Sequence, residues 1–152
     1  MSSILPPNGP RTVGDLMATE PIVIRAELPL AEAARIMEAH HVSGLPVVDA
    51  AGSLVGVISQ TDLLRARATE YLWSNWSGLL VRHLMTAPAI TVHHSTPLAL
   101  AARRMERHRV HRLVVVSDAD DALPIGILST SDLVRAMSQE PATSVEPQPA
   151  TG

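Results

Sequence analysis

The sequence predicts an α+β fold, of the α/β type, that is built from two copies of one β-α-β-β-α unit. The main observation is an internal repeat, since the segments at residues 13–17, 29–38 and 56–66 return in the same order at 81–85, 97–106 and 126–136. The offset is 68 residues through the first two segments and 70 through the third, so we expect two extra residues in one turn. Two such copies bury their apolar faces by stacking on each other.

The repeat divides the chain into five parts. We place repeat 1 at residues 13–67 and repeat 2 at 81–137, with a linker over 68–80. Residues 1–12 contain several Pro and predict a flexible tail, and residues 138–152, rich in Pro, Ser, Thr and Glu, predict a disordered one. The linker holds both Trp and the only Tyr, which we interpret as a packed lid or, alternatively, as a partner surface.

The first half of repeat 1 predicts a strand followed by a helix. Ile22–Ile24 is a β-branched run after a Pro, which favours a strand. Pro29 suits the first turn of a helix, and Ser43-Gly44 is expected to end that helix. The buried face of the helix follows the spacing i, i+3, i+4 and i+7 at Leu30, Ala33, Ala34 and Met37.

The second half of repeat 1 predicts a hairpin and a second helix. Strands at residues 45–48 and 54–58 are joined by the turn sequence at 49–52. Pro46 should occupy a strand position where no ladder donor is needed. A helix opens at Thr61-Asp62, with Leu63, Leu64 and Ala66 expected on its inner face.

Repeat 2 predicts the same elements in the same order. They are a strand at residues 90–92, a helix from Pro97 to about His108, strands at 113–116 and 125–128, and a helix from Ser131.

Composition excludes several classes of protein. With 46% hydrophobic residues the chain can bury a core, and without Cys it has neither disulfides nor thiolate chemistry. A net charge of −3 argues against a dedicated nucleic-acid binder. No apolar run reaches the roughly 18 residues of a membrane span, and the first ten residues do not resemble a signal peptide, so we expect a cytoplasmic protein.

The repeated unit resembles the CBS domain, named from cystathionine β-synthase. The resemblance lies in four motifs that occur in order in repeat 1 and return with substitutions in repeat 2: Asp15-Leu16-Met17 before a Pro, the Pro-Leu-x-x-Ala-Ala helix, the Leu-Pro-Val-Val-Asp strand and the Gly-Val-Ile-Ser-x-x-Asp-Leu segment. It covers nearly everything between the tails. It implies a pseudo-twofold pair with two clefts that bind adenosine-containing ligands such as AMP, ADP, ATP, S-adenosylmethionine and NAD-like molecules. It also implies a homodimer that regulates another protein and is not an enzyme.

Two polar clusters at equivalent positions are the first candidate site residues. They are Ser59, Thr61 and Asp62 in repeat 1, and Ser129, Ser131 and Asp132 in repeat 2. Each precedes a helix, whose N-terminus favours phosphate, and a carboxylate can accept hydrogen bonds from both ribose hydroxyls. The same residue types are also standard helix N-caps, which is the structural alternative.

An arginine-rich segment in repeat 2 supplies the second set of candidates. His111 and Arg112 look similar to a His-Arg-Leu segment in the γ subunit of AMP-activated protein kinase, where the pair contacts phosphate, and an Arg fork suits that role. Arg104 and Arg107 are expected on a solvated helix face. In repeat 1, Ser43-Gly44 replaces the His-Arg pair, so the matching cleft lacks a fixed cation.

The resemblance places adenine against the first strand of each repeat, at Ile22-Val23 and Ile90-Thr91. The predicted ligand-contacting residues are then Ser129, Ser131, Asp132, His111, Arg112, Ile90 and Thr91 in repeat 2, and Ser59, Thr61, Asp62, Val23 and Gly44 in repeat 1.

Three functions remain open at this point. The first is an adenine-nucleotide sensor, the second a ligand-free dimerisation or protein-interaction scaffold, and the third, which charge disfavours, a nucleic-acid binder. Adjacent His pairs such as His40-His41 point apart and do not predict a metal site. Neither a nucleophile elbow nor a P-loop is present, so catalysis is not expected.

Overall fold

A computed structural model describes residues 12–17, 22–69, 74 and 76–139 of the 152-residue chain. Repeat 1 contains α1 (Val13–Leu16), β1 (Ile24–Arg25), α2 (Leu30–His40), β2 (Gly44–Val48), β3 (Leu54–Ser59) and α3 (Gln60–Ala68). After a 3-10 turn at Trp76–Gly78, repeat 2 contains α4 (Val81–Leu84), β4 (Thr91–His93), α5 (Leu98–His108), β5 (Arg112–Ser117), β6 (Asp120–Ser129) and α6 (Thr130–Ser138). Most of the two expected tails, and Tyr71 and Trp73 of the linker, lie outside the described residues.

Each repeat forms its own three-stranded sheet, which confirms the α+β prediction. The strand orders are β1-β2-β3 and β4-β5-β6. In both sheets the middle strand runs parallel to the first and antiparallel to the third. A helix connects the parallel pair, because parallel strands need a crossover connection. A short turn is enough to connect the antiparallel pair.

The first strand of repeat 1 is shorter than predicted, and Pro46 is the reason. In repeat 2, Val114 N–H donates to Ile90 O over 3.0 Å. Pro46 stands at the equivalent position of β2 and has no N–H, so β1 begins only at Ile24. The expectation that Pro46 needs no ladder donor holds, because its partner Val57 exchanges hydrogen bonds with Thr86 instead of with β2.

Two details of the helices differ from the predictions. Helices α2 and α5 end at the left-handed residues His41 and Arg109, each with φ of 54°. Ser43-Gly44 therefore does not end α2, and Gly44 is instead the first residue of β2. Leu64 is not on the inner face of α3, since 71% of its surface is exposed.

The short helix that opens each repeat packs on the other repeat. Val13 of α1 is fully buried in the core of repeat 2, and its N–H donates to Thr96 O over 2.9 Å. Val81 of α4 is fully buried in the core of repeat 1, and its N–H donates to Leu28 O over 2.9 Å. The two repeats are therefore interlocked, and neither core is complete without the other repeat.

The sheets also meet directly, with β6 lying against β2 and β3. The two extra residues of repeat 2 fall in the β5–β6 hairpin, where the register shifts at Val115–Val116 and at Val116–Ser117. None of the helices in the described part of the chain has the length and hydrophobicity that a membrane span requires.

Candidate adenosine-ligand site

A cleft of about 670 Å³ opens where the two repeats meet. Repeat 1 contributes Ile22 and the segment Ser43–Pro46, and repeat 2 contributes Ser129, Ser131, Asp132 and Arg135. We call this cavity the Asp132 cleft. It joins the start of β2 in one repeat to the start of α6 in the other, so its shape depends on how the repeats pack.

Asp132 serves as a helix cap and also faces the cleft. Its Oδ2 accepts a hydrogen bond from Ser129 N over 2.8 Å, while Asp132 N donates to Ser129 Oγ over 3.2 Å. The other carboxylate oxygen, Oδ1, lies 3.3 Å from Arg135 Nη1. The structural alternative from the sequence is therefore realised, yet 21% of the Asp132 side chain stays exposed and keeps lone pairs for a ligand.

The repeat 1 side of the cleft combines apolar and polar side chains. Its apolar surface comes from Ile22, Leu45 and Pro46, with Met17 from the chain after α1. The polar residues that line the same cleft from repeat 1 include Glu38, His41 and Gln60. Apolar surface combined with a few polar groups is the usual construction of a small-molecule site.

The equivalent cluster in repeat 1 is buried. Asp62 is only 6% exposed, and its Oδ2 accepts from both Ser59 N (2.8 Å) and Ser59 Oγ (2.9 Å). Ser59 itself is 8% exposed, whereas Thr61 is exposed. In this structure, the hydrogen bonds of Asp62 and Ser59 cap the start of α3.

Arg112 of repeat 2 contacts repeat 1 near the Asp62 cluster. Its Nη2 donates to Ser43 Oγ over 3.1 Å, and its Nε is buried without a hydrogen-bond partner among the described residues. Burial lowers the pKa of Arg112, and the charge of nearby Asp62 raises it in part. The side chain lies over Gly44, where a Cβ would come within 2.8 Å of Arg112 Cδ. Gly44 therefore makes room for the arginine.

The predicted residues are distributed over several places. Gly44, Ser129, Ser131 and Asp132 line the Asp132 cleft. Contrary to expectation, His111 and Arg112 are not among its lining residues, because the cleft pairs Asp132 with the β2 start of repeat 1 and not with the β5 start of its own repeat.

The adenine candidates are also divided. Ile22 lines the cleft, whereas Val23 is 38% exposed and does not. In repeat 2, Ile90 packs on the repeat 2 core, and Thr91 lines a separate groove on the outer side of β4. His111 is exposed, and its carbonyl accepts a hydrogen bond from Thr130 N over 2.9 Å.

Sequence reasoning missed Arg135 as a lining residue. It stands three residues after Asp132, a spacing that places two side chains on the same helix face. That signal was available once Asp132 was singled out. The described residues contain no group of three or more His, Cys, Asp or Glu side chains that could hold a metal ion.

Comparison with protein families gives a match over most of the chain. The CBS domain model matches twice, at residues 13–69 and 81–139. A curated homoserine O-acetyltransferase of Methanocorpusculum labreanum is 34% identical over 124 residues, which are 82% of this chain and 24% of that protein. The chloroplastic CBS domain-containing protein CBSX2 of Arabidopsis thaliana is 34% identical over an alignment that covers 91% of this chain and 68% of that protein. The chain spans about a quarter of the length of the first curated relatives that it matches.

Two solved structures show the same architecture with adenosine compounds bound. The CBS domain pair of protein MJ0100, in complex with 5′-methylthioadenosine and S-adenosyl-L-methionine, matches with a TM-score of 0.73 and 30% identity over 84% of this chain and 95% of that one. CBSX2 in complex with AMP matches with a TM-score of 0.72 and 33% identity over 84% of this chain and 97% of that one.

Proposed function

The chain belongs to the CBS domain family, and from that premise we propose that it is a regulatory module that binds one adenosine-containing ligand in the Asp132 cleft. The observation that carries the proposal is the arrangement of this cleft, where the partly exposed carboxylate of Asp132 shares the cavity with apolar side chains of the other repeat. AMP, ADP, ATP and S-adenosylmethionine share the adenosine that this arrangement fits. Relatives crystallised with AMP and with S-adenosyl-L-methionine support the ligand class.

The two ends of adenosine have separate partners in this proposal. The ribose hydroxyls donate to Asp132 Oδ1, and the hydroxyls of Ser129 and Ser131 line the same edge of the cleft. The adenine ring lies against Ile22 and Pro46, which remove its faces from water.

Arg135 is the cation that we assign to the ligand's charged tail. Its side chain lines the cleft, is 61% exposed, and reaches Asp132 with one nitrogen. Its remaining donors can bind a phosphate in the forked geometry that a guanidinium favours. This supplies the fixed cation that the Ser43-Gly44 segment lacks.

The regulatory effect follows from the composition of the cleft. Because both repeats contribute walls, a bound ligand contacts both and favours the packing that it fits best. A ligand shifts such an equilibrium only by the difference between its affinities for the two packings. We assign no catalytic step to the chain itself, and its output is the regulation of another protein.

We propose that the Asp62 cluster, with Thr61, His111, Arg112 and the first strand of repeat 2, forms a second and weaker site. A ligand there has to displace Arg112 from Ser43 and uncover a carboxylate that is 6% exposed. Burial and the loss of one hydrogen bond both oppose binding. We therefore expect one strong site per chain.

The alternative function is a scaffold that works by dimerisation, and the two functions are compatible. Leu64 of α3 and Val134 of α6 occupy equivalent positions and are 71% and 58% exposed, next to Met137 at 67%. Apolar residues related by a pseudo-twofold axis suit a symmetric contact between two copies. We therefore propose a homodimer through these helix faces.

Thermal unfolding tests the ligand proposal. The nucleotide-stripped protein is heated with saturating AMP, ADP, ATP, S-adenosylmethionine, NAD or adenosine. A ligand at about 100 times its dissociation constant adds about 2.7 kcal/mol to the free energy of unfolding, which for this chain length raises Tm by about 5–10 °C. We expect that shift with adenosine compounds and its loss in Asp132→Ala. If none of the compounds moves Tm, the cleft is structural and the scaffold function replaces the proposal.

A further inference from the structure

A second groove, of about 490 Å³, runs along the outer side of repeat 2 between β4 and α5. Its polar wall consists of Arg103, Arg104 and Arg107 on α5, and its other wall is the edge strand β4 with Thr91 and His93. We call it the arginine groove. None of its lining residues lines the Asp132 cleft, so it is a separate feature of the molecule.

The groove concentrates positive charge that the described part of the chain does not neutralise. Arg103 and Arg107 are exposed and form no ion pair with any described residue. Arg104 is held in place, since its Nε donates to Thr91 O over 2.6 Å. No acidic residue lines the groove. The carboxylate of Asp121, which contacts lining residue His93, is already engaged by that ring at 2.6 Å.

Repeat 1 shows what the same surface looks like without this charge. The residues of α2 at the positions of Arg103, Arg104 and Arg107 are Arg35, Ile36 and Ala39. The one arginine that remains is paired with Glu32, its Nη1 lying 2.9 Å from Glu32 Oε2. At the position of Glu32, repeat 2 has Leu100. The charge of the arginine groove is thus a local property of repeat 2 and does not follow from the fold.

We propose that the arginine groove binds a small anion that carries two or more phosphate groups. Successive guanidinium groups on one helix face match a chain of phosphates, because each planar fork binds phosphate oxygens in pairs. The volume suits an oligophosphate, and a chain of net charge −3 is a poor partner for a long polyanion. The phosphates can belong to a free oligophosphate or to a nucleotide.

The test is calorimetric titration of the full chain with sodium tripolyphosphate at low ionic strength. Arg103→Gln/Arg107→Gln removes the two unpaired cations. Arg35→Gln/Arg82→Gln is the matched control, since it changes the net charge equally at exposed positions away from the groove. Asp132→Asn/Arg135→Gln separates this site from the adenosine proposal, because it removes both the ribose acceptor and the cation of the Asp132 cleft, keeps the net charge and leaves the groove intact.

We expect the groove variant to lose at least about tenfold in tripolyphosphate affinity, since each lost charge-assisted contact weakens binding by about that factor. The control and Asp132→Asn/Arg135→Gln should bind as the unaltered protein does. The proposal fails if the unaltered protein does not bind, if the control loses as much affinity as the groove variant, or if only Asp132→Asn/Arg135→Gln loses binding. A single-stranded oligonucleotide that binds far more tightly than tripolyphosphate also overturns it, in favour of a nucleic-acid site.

The source of the phosphates is read from the same titrations. In Asp132→Asn/Arg135→Gln, equal affinities for ATP and tripolyphosphate support the proposal with the phosphate chain alone as the recognised group. A higher affinity for ATP that is lost when Arg103→Gln/Arg107→Gln is added to the same protein supports it with the nucleotide as ligand.

Discussion

Arg112 of repeat 2 donates a hydrogen bond from Nη2 to Ser43 Oγ of repeat 1 over 3.1 Å. Ser43 lines the Asp132 cleft, and burial lowers the pKa of Arg112 while the charge of Asp62 in the other cluster raises it in part. The Arg112 side chain thus contacts a lining residue of the Asp132 cleft and interacts electrostatically with Asp62 of the buried cluster. The asymmetry between the two clusters follows from Gly44 and Arg112, which stand at equivalent positions of β2 and β5.

A double-mutant cycle with Ser43→Ala and Arg112→Met measures this contact. We expect a coupling of about 1 kcal/mol in the free energy of unfolding, the size of one hydrogen bond to a charged or half-buried donor. Urea denaturation of the four proteins gives the value. Strictly additive effects would show that the contact contributes nothing to stability.

The two capping aspartates, Asp62 and Asp132, should contribute differently to the free energy of unfolding. Asp62→Ala leaves the buried Ser59 N–H without a partner and should lower the free energy of unfolding by about 2 kcal/mol. Asp132→Ala removes a more exposed cap and should cost about 1 kcal/mol. Chemical denaturation compares the variants, and an equal or reversed order would contradict the burial difference described above.

Because α1 packs on repeat 2 and α4 packs on repeat 1, we predict one cooperative unfolding transition. Val13→Ala and Val81→Ala each remove two methyl groups from the core of the opposite repeat, which costs about 2 kcal/mol and lowers Tm by about 4–8 °C. Because each core needs the other repeat, both variants should still unfold in a single calorimetric peak. Two resolved peaks would mean that the repeats unfold independently.

Much of this fold can be predicted from the sequence, because several of its signals are local. They are the repeat, the i, i+3, i+4 spacing of α2 and the hairpin turn. What the sequence did not reveal depends on contacts between distant segments. The β1 boundary required knowing that Pro46 faces β1, and the left-handed end of α2 at His41 has no glycine to mark it. The grouping of Asp132 with Ser43-Gly44, in place of His111-Arg112, follows from how the two repeats pack, which no local pattern records.

Arg135→Gln distinguishes the charged from the neutral part of a ligand. Loss of its phosphate contact should weaken AMP by about tenfold and leave adenosine unchanged, because adenosine has no phosphate. Arg65→Gln, the equivalent change in repeat 1, serves as the control and should affect neither ligand. Equal loss of AMP and adenosine in Arg135→Gln would assign this arginine to positioning Asp132 instead.

The proposed dimer predicts the effect of charge on the exposed helix faces. Leu64→Glu and Val134→Glu should each shift the protein toward monomer in sedimentation velocity, while Tm changes little because both side chains are exposed. Leu123→Glu, exposed on β6, is the control. If the unaltered protein is a monomer, the proposed dimer does not exist. If the dimer tolerates both substitutions, its contact lies elsewhere.

The strong adenosine site of each chain should depend on Asp132 and not on Asp62. The measurement to make is calorimetric titration of adenosine into the unaltered protein, Asp132→Asn and Asp62→Asn. We predict one tight site per chain, a loss of at least about tenfold in Asp132→Asn from the weakened ribose contact, and little change in Asp62→Asn. Equal losses in both variants, or a loss in Asp62→Asn alone, would contradict the account.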